Sequence, residues 1–377
     1  MQVDPAQLRI CFIAGTLGRG GAERQLFYML QVLTGLNAQC RVLSLTKGEP
    51  YEAKIAELGI PITWVGASPS RLRRLLRIAR EVKQWRPHFV QSVHSYTNLY
   101  AVLAARCAGC MDIGAARSDG IREFTGLGLL SGPSLRWPTI LAVNSRQAAE
   151  MVRTARGINK PLYFLPNVVD TDHFVPRLGA PSARCNTLLV LCVGTLKSEK
   201  RQDVFLYALA RAKTFIPTLR ASLVGDGPLR GALEKLARDL GIEDAVEFMG
   251  TLDDVKSVYQ RGDMLVLTSD YEGAPNVILE AMACGLPVVS TRVGAASDFI
   301  VDGEMGFLTD ARDVEAIADR IVRLASEPEL RRQMGSAARA RVEAQYSLSL
   351  LRDNLLGLYD LAYQVGYLRG RGLRSGS

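Results

Sequence analysis

A chain of 377 residues with 48% hydrophobic content and a net charge of +8 is long enough for two domains and too apolar to be a disordered polycation. No uninterrupted apolar run approaches the ~20 residues of a membrane helix. Residues 1–8 are polar, carry Asp4 and Pro5 and lack the regions of a signal peptide, so a cytoplasmic protein is expected.

Along the chain, strand-sized apolar runs alternate with amphipathic helical runs. Strands are expected at 8–14, 39–45, 62–65, 89–92, 113–116, 141–143 and 162–165, with helices between most of them, 22–36 and 145–156 included. This is the rhythm of a parallel sheet covered on both faces. Within this half, 71–86 is densely basic. Leu72, Leu75, Leu76, Ala79, Val82 and Trp85 recur at helical spacing, which predicts an amphipathic helix with a packed stripe. Its basic face is either solvated or in contact with an anionic membrane surface or an anionic lipid-linked acceptor. No nucleic-acid module is present. Seven cysteines at scattered spacings, with Cys107 and Cys110 the one Cys-x-x-Cys, read as buried thiols. The Gly-rich stretch 118–138 lacks a period and reads as a mobile loop over a cleft.

A linker is expected at 175–186, where Pro, Gly, Ser and Arg mix without a period. A second series follows, with strands at 188–193, 221–224, 246–249, 264–267, 287–290 and 307–308 and helices at 202–213, 229–240 and 254–261. Domains are therefore placed at 1–175 and 186–346. From 314 to about 367 the chain reads as helices broken at Pro328 and Tyr346-Ser347, and 370–377 reads as a disordered tail.

Both halves open with a strand, a Gly-containing loop and a helix. Gly15-Thr-Leu-Gly-Arg-Gly20-Gly21-Ala22 suits a phosphate cradle or a plain tight turn. It is not Gly-x-Gly-x-x-Gly, and the second strand ends without the acid that a dinucleotide site uses for ribose, which disfavours a Rossmann dehydrogenase. The matching loop, Val193-Gly-Thr195-Leu-Lys197-Ser-Glu-Lys200-Arg201, brings cations to a helix start, either to neutralise phosphates or as a solvated turn. Gly225-Asp-Gly-Pro228 reads as a turn and cap. Asp170-Thr-Asp172 has the look of a metal pair but lacks a second acidic cluster, so no metal site is expected. Of the three histidines, His94 follows strand 89–92, where ligand-facing residues of such sheets collect. The hydrolase elbow and the zinc-protease His-Glu-x-x-His are absent.

The densest motif runs from Tyr271 through Glu272, Pro275, Asn276, Val277 and Glu280 to Pro287. An apolar strand precedes it, Pro275 suits a first helical turn, and Gly285 with Pro287 ends the helix. A loop feeding a helix start offers amides and a positive dipole end to an anion, and flanking carboxylates can accept from sugar hydroxyls. A site for a phosphorylated sugar is expected.

Taken together, the chain resembles the GT-B retaining glycosyltransferases of family 4 (glycosyl transferases group 1). Glu272, seven residues, Glu280 and the following Ala-Met-Ala-Cys-Gly-Leu-Pro carry the resemblance. Gly20-Gly-Ala-Glu-Arg24, Pro166-Asn-Val-Val-Asp170, Gly225-Asp-Gly-Pro228 and Gly294 add to it. The resemblance implies two Rossmann-like, doubly wound α/β domains facing across a cleft, with the last helix, 347–368, crossing back to the N-terminal one. It implies a UDP-sugar or GDP-sugar donor on the C-terminal domain, UDP favoured, with no cofactor and no metal. Glu272 would bond the donor sugar, Asn276 and Val277 amides the diphosphate or ribose, Glu280 the ribose and Lys200 the diphosphate. Gly20 and Gly21 would approach the diphosphate, and His94 the transferred sugar. The acceptor would be a lipid-linked or growing glycan in envelope or exopolysaccharide synthesis. The family's arginine after the loop glycine is Thr195 here, with Lys197 or Arg201 as substitutes. Another GT-B reaction, such as a UDP-sugar 2-epimerase, and a catalytically weakened glycan-binding scaffold are the alternatives.

Overall fold

The computed structural model describes residues 4–117, 131–155, 158–177 and 187–368. The chain divides into two units, one of Met1–Asn167 with Leu348–Ser377, the other of Val168–Ser347. In the first unit β1 (Arg9–Ala14), β2 (Gln39–Ser44), β3 (Ile62–Trp64), β4 (Phe89–Ser92), β5 (Met111–Ala116), β6 (Ile140–Val143) and β7 (Leu162–Phe164) form one parallel sheet in the order β3-β2-β1-β4-β5-β6-β7. In the second, β8 (Leu189–Val193), β9 (Arg220–Val224), β10 (Val246–Gly250), β11 (Met264–Leu267), β12 (Val288–Thr291) and β13 (Gly306–Thr309) run parallel in the order β10-β9-β8-β11-β12-β13. Both are doubly wound α/β sheets. The central strands β1, β4, β11 and β12 are buried throughout or nearly so, as strands covered on both faces must be, which is why their sequences are near-continuous apolar runs.

Each sheet reverses its strand order once, at β1/β4 in the first unit and at β8/β11 in the second. At such a point the two flanking connections leave in opposite directions, and the loops after the strands open a crevice for a ligand. The expected site residues follow from these four strands: 15–21 after β1, His94 after β4, 194–201 after β8 and 268–277 after β11.

The final helix, Leu351–Leu368, belongs to the first unit. Its buried Tyr359 stacks near Phe89 at 5.0 Å and donates to Gln91 Oε1 at 2.8 Å. The boundary expected at 175 falls earlier, at Asn167/Val168. Arg339 donates to the carbonyls of Thr171 (3.0 Å), Phe174 (2.6 Å) and Ala283 (2.6 Å), and the Val169 amide to the Tyr346 carbonyl (2.8 Å), which together tie 168–175 to the second unit. Asp170 caps that turn through the amides of Asp172 and His173, which accounts for the Asp-x-Asp without an ion. Of the loop expected at 118–138, residues 118–130 lie outside the described residues; Ser131–Arg136 is helical. Most of the expected linker and the tail 370–377 lie outside them too.

The basic helix forms, as α3 (Arg71–Trp85); of the expected stripe Val82 is buried and Ala79 and Trp85 pack against the core, while Leu72 and Leu76 face outward. Ile78 and Val82 are its buried residues, while Leu72 and Leu76 are 65% and 62% exposed. At ~100° per residue the Ile78–Val82 stripe lies on the opposite side from Leu76, so both cannot face the sheet. Trp85 is held at the edge between the guanidinium groups of Arg9 (4.9 Å) and Arg41 (5.4 Å). Burial pushes the Cys40, Cys110, Cys192 and Cys284 thiols up to about 12, so these cysteines are inert core residues; Cys107 is exposed.

Candidate functional site

In the first unit, β1 passes into α1 (Gly21–Gly35) through 15–20, with Gly20 as the N-cap. His94 stands across this loop at the end of β4, 8% exposed. Its Nδ1 accepts from the Gly15 amide at 3.1 Å, and its Nε2 lies 3.1 Å from Glu23 Oε1. Because Nδ1 accepts, the imidazole is neutral and Nε2 carries the proton that goes to Glu23. The ring also stacks on Tyr96 with centroids 5.1 Å apart. Both nitrogens of His94 are thus engaged by the protein.

Two glycines of this loop make room for that arrangement. A Cβ on Gly15 would sit 2.1 Å from the Tyr96 hydroxyl, and one on Gly20 would sit 2.1 Å from Glu23 Oε2. The close approach at Gly20 is to this carboxylate. Gly21 is the first residue of α1. Glu23, 4% exposed, was within the Gly-Gly-Ala-Glu-Arg motif but not singled out by sequence.

A second carboxylate escaped the sequence reading altogether. Glu49 caps α2 (Pro50–Glu57) in a capping box with Glu52, and its oxygens accept from the Thr16 hydroxyl at 2.9 Å, from the Leu17 amide and from the Thr46 hydroxyl. Partial burial pushes its carboxyl up. The bonds from Thr46, Leu17 and Thr16 outweigh that, and the pKa lies below the ordinary 4.5. The sign follows directly: this group contributes stability above the unfolded value and loses it as pH falls through the lowered folded one. Thermal melts between about pH 3 and pH 6 should show a declining acid limb in the native chain, and Glu49→Gln should flatten part of it.

In the second unit, Lys200 Nζ lies 2.6 Å from Glu272 Oε1, with side chains 23% and 10% exposed. Ser269 Oγ donates to the same oxygen at 2.7 Å. The two loops are stitched together beneath this pair. Thr268 Oγ1 donates to the Arg201 carbonyl at 2.8 Å, the Asp270 amide to the Glu199 carbonyl at 2.9 Å, and Thr291 Oγ1 to the Ser269 carbonyl at 2.7 Å. Gly294, at φ 52°, lies against the Glu272 segment, where a Cβ would come within 2.1 Å of the Gly273 carbonyl oxygen and 2.4 Å of that of Glu272. The 194–197 loop is braced likewise: a Cβ on Gly225 would sit 2.0 Å from the Gly194 carbonyl oxygen.

The motif helix is Asn276–Ala283 with Pro275 as its N-cap, one position earlier than the expected first turn. Its first intrahelical-type bond runs from the Ile278 amide to the Pro275 carbonyl at 3.1 Å, so the Asn276 and Val277 amides precede the helical ladder and face the dipole's positive end. Glu280 is 2% exposed and accepts from the buried Tyr259 hydroxyl at 2.9 Å. The structure therefore separates the two glutamates of the motif: Glu272 at the loop with Lys200, Glu280 inside the domain with Tyr259.

The remaining cations divide as well. Thr195 is exposed, and its carbonyl accepts from Gln202 Nε2 at 3.0 Å. Arg201, left-handed at φ 51°, is bound by Asp203 through two bonds of 3.0 and 2.7 Å and lies 3.8 Å from Asp270, which Arg312 also grips. Lys197 is exposed and forms no ion pair among the described residues.

A family model described as "Glycosyl transferases group 1" matches residues 181–341, and one described as "Glycosyltransferase Family 4" matches residues 19–173. The chain is 35% identical over 175 residues to an N-acetyl-alpha-D-glucosaminyl L-malate synthase of Bacillus anthracis, covering 46% of this chain and 45% of that protein. It is 32% identical over 213 residues to a GDP-mannose-dependent alpha-(1-6)-phosphatidylinositol monomannoside mannosyltransferase of Mycolicibacterium smegmatis, covering 52% of this chain and 55% of that protein. These alignments span about half the length of the curated relatives. In fold, the chain is similar to the crystal structure of Anabaena HepE in complex with UDP-glucose, with a TM-score of 0.84 at 20% identity over 94% of this chain and 100% of that one.

Proposed function

Since this chain belongs to the GT-B glycosyltransferases of group 1 and family 4, we propose that it transfers a sugar from a nucleotide-diphosphate sugar to a glycan acceptor, with retention at the anomeric carbon and without a metal. The observation that carries this reading is the Lys200–Glu272 pair at 2.6 Å beside the start of helix Asn276–Ala283. In the reaction the bond from the anomeric carbon to a diphosphate oxygen breaks, one to an acceptor oxygen forms, and the acceptor hydroxyl's proton passes to the departing diphosphate. Negative charge collects on the departing diphosphate. Lys200 and the Asn276 and Val277 amides are the groups that stabilise it, and Glu272 accepts from donor hydroxyls. Lys197 is the cation open to take the place of the arginine that Thr195 replaces. Glu280, held by Tyr259 through Oε2, fixes the helix from within and is the group we propose for the ribose.

The donor we propose first is a UDP-sugar. GDP-mannose is the second reading, favoured by the 32% identity to a mannosyltransferase whose name specifies that donor. The acceptor is a lipid-linked or growing glycan in envelope or exopolysaccharide synthesis, consistent with the relatives' names, one being a lipopolysaccharide core transferase of Rhizobium meliloti. Contact with an anionic membrane at its cytoplasmic face belongs to the same reading.

A thermal-shift panel of UDP- and GDP-sugars tests it. A ligand at 100 times its Kd stabilises the native state by about 2.7 kcal/mol, so one nucleotide class should raise the melting temperature clearly. Silence from every nucleotide would leave the scaffold alternative standing. Product analysis of the active donor without acceptor separates a transferase from an epimerase, because only the latter returns a C2 epimer.

A further inference from the structure

The outward arc of α3 carries an unusual composition. At ~100° per residue, Leu72, Lys83, Leu76, Arg80, Arg73, Gln84 and Arg77 fall in that order within about 140° of arc. All seven are exposed, and none is acidic. The helix's one acid, Glu81, lies on the inner side and is paired with Arg41 at 3.4 Å. Arg74, also toward the inner side, sits over the Tyr100 ring at 5.9 Å. The arc is therefore two leucines one helical turn apart among four basic side chains that no described carboxylate pairs.

A solvated outer helix needs the cations but not the leucines. Leu72 and Leu76, 65% and 62% exposed and one turn apart, form a small apolar patch rimmed by cations, and a rimmed patch rather than a single exposed leucine is what marks an interaction surface. A nucleic acid or acidic protein accounts for the cations but offers no apolar layer along a whole helix face. A bilayer with anionic headgroups satisfies both: basic side chains meet phosphates while leucines enter the acyl boundary and the long arginine stems lie along it.

We infer that α3 is a membrane-docking surface for an anionic bilayer, lying parallel to it with Leu72 and Leu76 inserted and Arg73, Arg77, Arg80 and Lys83 at headgroup level. This fixes which residues make the membrane contact included in the proposed function. It is read without donor or acceptor, so its failure leaves the transferase reading intact and the reverse holds as well.

The test is co-sedimentation of the full chain with vesicles of phosphatidylcholine alone and with about 30% phosphatidylglycerol. Binding should favour the anionic vesicles and weaken at high salt, because exposed charges are screened beyond ~10 Å at 0.1 M. Leu72→Ser/Leu76→Ser keeps every charge and should lower the partition coefficient about tenfold. Arg73→Gln/Arg77→Gln/Arg80→Gln should erase the preference for anionic vesicles. All five positions are exposed, so melting temperatures should stay unchanged, and that control accompanies each variant. Two outcomes would overturn the inference: equal binding to neutral vesicles, or a leucine variant that binds as the native chain does.

Discussion

Glu272→Ala is expected to lower donor turnover by about two to three orders of magnitude, and Lys200→Ala by a similar factor. The size follows from where the pair sits. At 2.6 Å and largely shielded from water, the ammonium and carboxylate interact far more strongly than an exposed pair would. Ser269 fixes the same oxygen, so Glu272 is held in one position before any ligand arrives. The two substitutions should differ in what they spoil. On the proposed reading Lys200 meets the diphosphate, so its loss should weaken calorimetric binding of the nucleotide diphosphate itself. On the same reading Glu272 meets the sugar, so its loss should spare the nucleotide and weaken discrimination among its sugars. Because each side chain positions the other, the double variant should cost less than the product of the two single effects. A Glu272→Ala protein that turns over donor at the native rate would remove that residue from the reaction.

Why these residues could be found from sequence, and others could not, has a physical reason. The parallel strands announce themselves because both faces are buried; β11, Met-Leu-Val-Leu, leaves no other reading. Loops that follow such strands collect ligand-facing side chains, so strand positions together with the family resemblance singled out Glu272, Lys200 and His94 as candidates. What stayed hidden were partners that are distant in sequence. Glu49 lies 33 residues from the Thr16 it grips and stands in no motif that the sequence marks. Tyr259 lies 21 residues from Glu280 and reads as one more apolar helix residue. Helical spacing also left the orientation of α3 open. The expected stripe is wide enough to include both Leu72 and Leu76 and Val82, and the packing of the sheet, not periodicity, selects its Val82 edge together with Ile78. Arg339 likewise looks like an ordinary surface arginine until the carbonyls it collects are known.

Glu23→Ala should be the most damaging change in the first unit, and it separates the roles of Glu23 and His94. The carboxylate takes the proton-bearing Nε2 of His94 while the Gly15 amide occupies Nδ1. Truncation leaves a buried N–H without its acceptor, at a cost of about 1–3 kcal/mol, and frees the ring to change tautomer. Glu23→Gln keeps an oxygen at the same reach and should retain the Nε2–H form. Only three histidines are present, so ring nitrogen resonances assign simply. His88, which accepts from the Arg9 amide through Nδ1, is the half-buried comparison, and His173 the exposed one. The native chain should show His94 as a single neutral tautomer, Glu23→Gln the same signature, and Glu23→Ala a mixture. If His94 serves the transferred sugar, kcat should fall on the order of ten- to a hundredfold in Glu23→Ala and recover in Glu23→Gln, as for other imidazoles that lose an orienting partner. An unchanged tautomer in Glu23→Ala would show that the Gly15 amide alone sets the ring. Unchanged turnover with an altered tautomer would take His94 out of the chemistry and leave it as a structural clamp between β4 and α1.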